Sequence, residues 1–240
     1  MKTWKESQKI LVILAHPDDP EFFCGGTIAK WVGEGNLVSY LLLTRGEKGV
    51  NDQFNSDNIN EIIRIRKEEQ ERAATILGVN EIHYLNEPDG YLAENIPIRR
   101  KVVKAIREIK PDIILTCDPT NYYLRDTYIN HPDHRAAGQI VIDSVFPAVQ
   151  NPAFYSDLII NNRLYPHQLK EVWLSLPLSG NTIVDVTEFW AQKMNALHAH
   201  ESQIGDIEQF DQRMIDRRVK GSSIKKPKFE EIFHRIALRR

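Results

Sequence analysis

The chain is poor in cysteine, with two in 240 residues, Cys24 and Cys117. They allow one disulfide at most and no C-x-x-C metal knuckle. Long apolar runs are missing too. None approaches the roughly 20 residues that span a bilayer, so no membrane partner is expected. The opening MKTWKESQKILVILAHPDD has a short apolar segment that runs into charge without a small-residue cleavage site, which reads as a strand and not as a signal peptide. A cytoplasmic location with both thiols reduced follows as the expectation. No G-x-G-x-x-G follows a strand and no G-x4-G-K-[ST] occurs, so the usual phosphate cradles are absent. Internal repeats, low-complexity tracts and linkers are absent as well. An excess of charge of either sign is lacking, with 31 Lys/Arg against 33 Asp/Glu and a formal net charge of −2. That balance hides an asymmetry: from Arg213 to the end, ten Lys/Arg face three Asp/Glu. A basic tail can grip nucleic acid or anionic lipid, but no aromatic residues interleave at stacking intervals. It reads instead as a solvated helix or a subunit contact, which excludes nucleic acid as a partner and leaves a homo-oligomer open.

What is present is ordinary for one sizeable globular domain: 42% hydrophobic residues and 27% charged. Apolar runs alternate with helical patterns, the signature of βαβ units and a mostly parallel sheet. KILVILA (9–15), LVSYLLLT (37–44), IHYL (82–85), DIILTCD (112–118), EVWLSL (171–176) and TIVDVT (182–187) read as strands. Helices are expected from about Gly25 to Gly35, over 59–78 with Gly78 as the stop, over 96–110 ending at Pro111, and opening near Pro132. A helix over about 188–200 and two basic helical segments close the chain. The expected fold is an α/β, Rossmann-like three-layer domain with a mostly parallel sheet. Residues 1–205 form its main body and 206–240 a basic helical C-terminal extension.

Two polar clusters follow buried strands: HPDD after 9–15, and HPDH (131–134) after 112–118 and a loop. In open parallel sheets ligands bind beyond the carboxyl ends of strands, where strand order reverses. The clusters supply three histidines and three aspartates, a nitrogen and oxygen donor set that suits Zn²⁺ or another divalent cation. Two of His16, Asp18 and Asp19, with one of His131 and His134, would build such a site. The side chains of neighbouring Asp18 and Asp19 leave the backbone in different directions, so one can bind metal while the other faces water. Either motif alone is equally well explained by helix capping; the pair, each at a strand's carboxyl end, favours a metal site.

In this context the sequence resembles the PIG-L/LmbE-like zinc deacetylases. The matching pieces are AHPDD-x4-CGGTIA (15–29), LTRGEKG (43–49), R-x2-E…LGV (66–79), PDGYL (88–92), DPT…HPDHRAAG (118–138) and KMNALHAHESQ (193–203), in order along most of 9–203. The resemblance implies removal of an acetyl group from an N-acetylglucosamine-type amide in a small N-acetylated amino-sugar conjugate. It makes His16, Asp19 and His134 metal ligands, Asp18 the general base and His131 the group that stabilises the oxyanion. Asp133 then orients an imidazole, and Arg66 and Asp89 meet the sugar. Pro20 stands where the family has glutamate, with Glu21 next, and Ile129 where some relatives have tyrosine. A metallo-amidase on a non-sugar amide and a non-catalytic sugar- or nucleotide-binding module are the competing readings.

Other residues carry less. Arg45 and Glu47 read equally as pocket lining and as loop solvation. Cys24 reads as a packing thiol, and His83, His167, His198 and His234 as structural or surface residues. His200 is a weak pocket candidate. Tyr122, Tyr123, Arg125 and Tyr128 crowd a loop that reads equally as a lid and as surface packing.

Overall fold

The computed structural model describes residues 3–49, 58–124 and 128–239. In chain order the elements are β1 (Lys9–Leu14), α1 (Asp19–Gly33), β2 (Leu37–Thr44), α2 (Ile59–Leu77), β3 (Glu81–Glu87), α3 (Ile96–Ile109) and β4 (Ile113–Cys117). A small hairpin of β5 (Tyr123–Leu124) and β6 (Tyr128–Ile129) precedes α4 (Pro132–Asp143). The chain continues through α5 (Ser156–Asn162), β7 (Glu171–Ser175), β8 (Thr182–Asp185), α6 (Trp190–His198), α7 (Glu201–Ile204), α8 (Ile207–Ile215) and β9 (Glu230–Ala237). Arg125 lies outside the described residues, as does most of the loop after β2. Among the described residues no helix is long and apolar enough to cross a membrane.

The large sheet has the order β3-β2-β1-β4-β7-β9-β8. Strands β1 to β4 and β7 run parallel, and β9 pairs antiparallel with both of its neighbours. Both faces of the sheet are covered. Ile10, Val12 and Leu14 of β1 pack with α1, α2 and α6 on one side, while Leu11 and Ile13 pack with α3 and α4 on the other. A strand buried on two faces reads as a continuous apolar run, and each such side chain contributes roughly 1.5–3 kcal/mol. The mostly parallel, three-layer α/β architecture expected from the sequence is the one observed.

Local chemistry sets the helix ends. The Asn58 side chain accepts the Asn60 N–H at the start of α2, and Asn95 accepts the Ile98 N–H at the start of α3. Two expectations are corrected. The first helix begins at Asp19, not Gly25. It bends at Cys24, whose φ of −148° and ψ of 17° break the helix where the sequence pattern places its start. The C-terminal segment is not helical throughout: 230–237 is a strand inside the sheet. Its alternation buries Glu231 and Phe233 and exposes Glu230 and Ile232, a period of two that only a strand satisfies.

Chain order fixes where a ligand can sit. From β1 the chain steps to β2 and β3 on one side, then crosses to β4 on the other. The carboxyl end of β1 is therefore a switch point, and His16 follows it by two residues.

Candidate active site

His16 leaves β1 almost fully buried, and its two ring nitrogens face different neighbours. Nε2 lies 3.1 Å from Asp89 Oδ1 and 3.3 Å from Asp133 Oδ2. Facing two carboxylates, it is a donor N–H, so Nδ1 carries the lone pair. That Nδ1 points at Asp19, 3.3 Å from Oδ2, and the same oxygen accepts the His16 backbone N–H. From α4, His134 brings Nε2 to 3.0 Å from Asp19 Oδ1. The Asn130 amide fixes the His134 tautomer. Its Nδ2 donates to Asn121 O at 2.8 Å, so its Oδ1 accepts from His134 Nδ1 at 3.0 Å.

Two imidazole lone pairs thus converge on a carboxylate that can only accept. Such an arrangement holds together when both rings take a second proton or when a cation sits among the three groups. The residues fit a divalent cation: imidazole nitrogen and carboxylate oxygen are its usual donors, and the outer nitrogen of each ring is tethered as supported ligands require. His16, His131 and His134 offer nitrogens within 4.8 Å of one another, and His16, Asp89 and Asp133 form a second such group behind them. In that second group backbone N–H donors already serve the carboxylates: Gly90 and Leu92 on Asp133, Lys48 on Asp89.

The titration of the site follows its charges. Burial alone would lower His16, but the carboxylates of Asp19, Asp133 and Asp89 outweigh it and hold the imidazole well above its usual range. Burial works to raise Asp19, yet His134 and His16 pull it far below. Burial likewise opposes ionisation of Asp89, and the bond from His16 and the Lys48 N–H bring it down to about 2. For Asp18 burial wins: Arg66 opposes it, Asp19 adds to it, and the carboxyl rises. His131 is lowered by burial and by its histidine neighbours.

Of the residues singled out from sequence, His16, Asp18, Asp19, Asp89, His131, Asp133 and His134 come together at this edge. The His131 ring centroid lies 4.9 Å from that of His16 and 5.2 Å from that of His134. His131 caps α4, its Nδ1 accepting the Asp133 N–H at 3.2 Å. The neutral ring then carries its proton on Nε2.

The two residues expected to meet the substrate, Arg66 and Asp89, are held by contacts with the scaffold. Arg66 is 2% exposed and donates to Pro17 O at 2.7 Å and to Gly49 O at 3.0 Å. Loop 44–49 wraps its guanidinium so closely that a Cβ on Gly46 would stand 2.7 Å from Nη2. Asp89 is equally enclosed, one oxygen on His16 and the other on the Lys48 N–H. Arg45 binds Glu47, which in turn accepts the Asp89 N–H.

Cys24 packs in the core, and burial pushes its thiol up. His83, His167, His198 and His234 engage groups outside the site. Tyr122, Tyr123 and Tyr128 are exposed, with Arg135 stacked on Tyr122. His200 is sealed behind the site against Glu21.

Sequence reasoning missed Gln70, Glu21 and Asn130, all fully buried. The available signals were slight: Gln70 stands one helical turn from Arg66, and Asn130 directly precedes HPDH.

Fold and site together define an α/β protein with a His/Asp centre, able to hold a metal ion, at the switch point of its sheet. The PIG-L family, described as GlcNAc-PI de-N-acetylase, matches residues 11–145. A diacetylchitobiose deacetylase of Thermococcus kodakarensis is 38% identical over 200 residues, covering 83% of this chain and 72% of the relative. A probable N-acetyl-alpha-D-glucosaminyl L-malate deacetylase 2 of Bacillus anthracis is 29% identical over 206 residues, 83% of each chain. Among solved structures, the N,N'-diacetylchitobiose deacetylase from Pyrococcus horikoshii superposes with a TM-score of 0.84 at 31% identity, covering 97% of this chain and 85% of the other. The chain belongs to the PIG-L family.

Proposed function

We propose that the protein is a metal-dependent N-deacetylase that hydrolyses the acetamido group of an N-acetylglucosamine-type sugar, with zinc as the cation. The observation that carries this reading is the division between adjacent aspartates. Asp19 is committed to His16 and His134, whereas Asp18 contacts neither ring and stands beside Arg66, 3.6 Å from its guanidinium. The curated relatives, whose names specify N-acetylated amino sugars, support the substrate class.

In this reading His16, Asp19 and His134 are the ligands, with Asp133 and Asp89 holding His16 in the correct tautomer. A divalent cation held there supplies Lewis acidity, polarising a carbonyl and lowering the pKa of water. Asp18 accepts the proton of the attacking water as the new C–O bond forms. The Nε2–H of neutral His131 donates to the carbonyl oxygen as that atom gains charge. Burial, which raises the Asp18 carboxyl, favours its holding that proton until the amine nitrogen takes it and the C–N bond breaks.

The test is acetate release from a panel of N-acetylglucosamine conjugates and simple non-sugar acetamides, with chelated protein as control. Release from the sugars alone, abolished by chelation, is expected. Asp18→Asn should keep one metal per chain and lose on the order of 10²–10⁴-fold in kcat. Full activity in that variant removes the base assignment, and release from the simple acetamides at equal rate removes the sugar.

A further inference from the structure

Asp18 has a backbone φ of +89° and ψ of −32°, a region that residues carrying a Cβ rarely adopt. It sits at the N-cap of α1, yet its side chain makes no capping hydrogen bond, although aspartate is among the preferred caps. Something other than the helix therefore holds it. The peptide group joining Pro17 to Asp18 is gripped on both sides. Its carbonyl accepts from Arg66 Nη2 at 2.7 Å, and its N–H donates to Gln70 Oε1 at 2.8 Å. Arg66 and Gln70 are four residues apart on α2, hence on one face of that helix.

We infer that Arg66 and Gln70 are positioning residues that clamp the Pro17–Asp18 peptide and so hold Asp18 in its positive-φ conformation, its carboxyl beside Arg66 and outside the contacts that its neighbour Asp19 makes with His16 and His134. This inference rests on the proposed role of Asp18 as base. The clamp cannot swivel. The Gln70 NH₂ donates to both oxygens of Glu21 at 3.1 Å, which leaves only its Oε1 to face Asp18. Glu21 is itself fixed in the core, accepting from Tyr40 Oη at 3.1 Å and lying 3.2 Å from His200 Nε2. The tail motif around 193–203 thereby reaches the base through His200, Glu21 and Gln70. Arg66 is immobilised by Gly49 O and by the closely packed Gly46. A base displaced by about an ångström costs on the order of 10²-fold in rate, which is the scale of effect assigned to the clamp.

The experiment compares Gln70→Leu, which removes the acceptor, with the exchange Gln70→Glu/Glu21→Gln. The exchange restores the acceptor: the carboxylate now on α2 faces the Asp18 N–H, and the amide now on α1 donates to that carboxylate. Gln70→Leu is expected to lose roughly 10–100-fold in kcat, with KM within about twofold and one metal per chain retained. The exchange should recover most of that loss. Should Gln70→Leu prove insoluble, Gln70→Asn, polar but too short to span the gap, takes its place with the same expectations. Wild-type kcat in these variants, or a loss that the exchange does not restore, overturns the clamp. A wild-type protein inactive on the whole panel counts instead against the deacetylase reading. In that event the crystal structure of the Gln70 variant decides: Asp18 relaxed to negative φ supports the clamp, and Asp18 still at positive φ overturns it.

Discussion

Asp133 shows how much one side chain can organise. Its Oδ2 accepts the Gly90 N–H at 2.7 Å, its Oδ1 the Leu92 N–H at 3.2 Å, and Oδ2 also faces His16 Nε2. A buried carboxylate with three donors ties the turn 88–92 to α4 and fixes which nitrogen of His16 looks inward. Asp133→Asn keeps the shape but lets the amide offer only one accepting oxygen. Metal affinity, measured by competition with a chromophoric chelator, should fall about 10–100-fold. An unchanged affinity would mean that Asp89 alone orients His16. At this scale the sequence was informative about which residues meet beyond β1: HPDD and HPDH hold His16, Asp18, Asp19, His131, Asp133 and His134, which the fold brings to one edge. Gln70 and Glu21 were not legible. An ordinary polar residue in an amphipathic helix shows its role only through a partner far away along the chain, here 49 residues off.

Among elements, α4 has the tightest constraint. It carries His131 at its cap and His134 in its first turn, and it lies against β4 through Gly138. A Cβ there would stand 2.3 Å from the Cys117 carbonyl oxygen and 3.0 Å from Pro119 N. Backbone on both sides cannot yield, so Gly138→Ala must move the helix, and His134 lies one turn away. The variant should lose about 1–3 kcal/mol of stability in denaturant unfolding and bind metal more weakly than wild type. A destabilised variant with unchanged metal affinity would show that the helix shifts without carrying His134. Strands β1, β2 and β4 were legible because burial on two faces produces unbroken apolar runs. The start of α1 was hidden by Pro20, which is at home in a first turn, and by the bend at Cys24. Strand β9 was misread because its charges suggested a solvated helix, whereas Glu231 is buried by its bond to Lys193 and by the N–H groups of Gly26 and Thr27.

Across the whole molecule, β9 ties the last residues to the first. Glu231 caps the second part of α1 just past its bend, and Arg235 reaches Glu171 on β7, where the Trp4 and Trp173 indoles also donate. This joins the amino-terminal segment, the sheet and the carboxyl-terminal strand through one carboxylate, beside the packed indoles of Trp4, Trp31 and Trp173. Such closure is not legible in local patterns, because each partner comes from a different part of the chain. Burial works to raise Glu171, but the bonds from Arg235, Trp173 and Trp4 outweigh it and hold the carboxyl below its usual value. A carboxyl depressed in the folded state adds stability above its unfolded pKa, near 4.3, and that stability is lost as pH falls through the folded value. Glu171→Gln should therefore cost about 1.5–3 kcal/mol at pH 7, read as a Tm lower by roughly 2–4 °C per kcal/mol. The gap between the two proteins should narrow steadily below about pH 4 as the wild-type carboxyl takes up its proton. Equal gaps at neutral and acid pH would mean that Glu171 contributes through shape and neutral hydrogen bonding alone, and that its charge does not fasten β9 to the sheet.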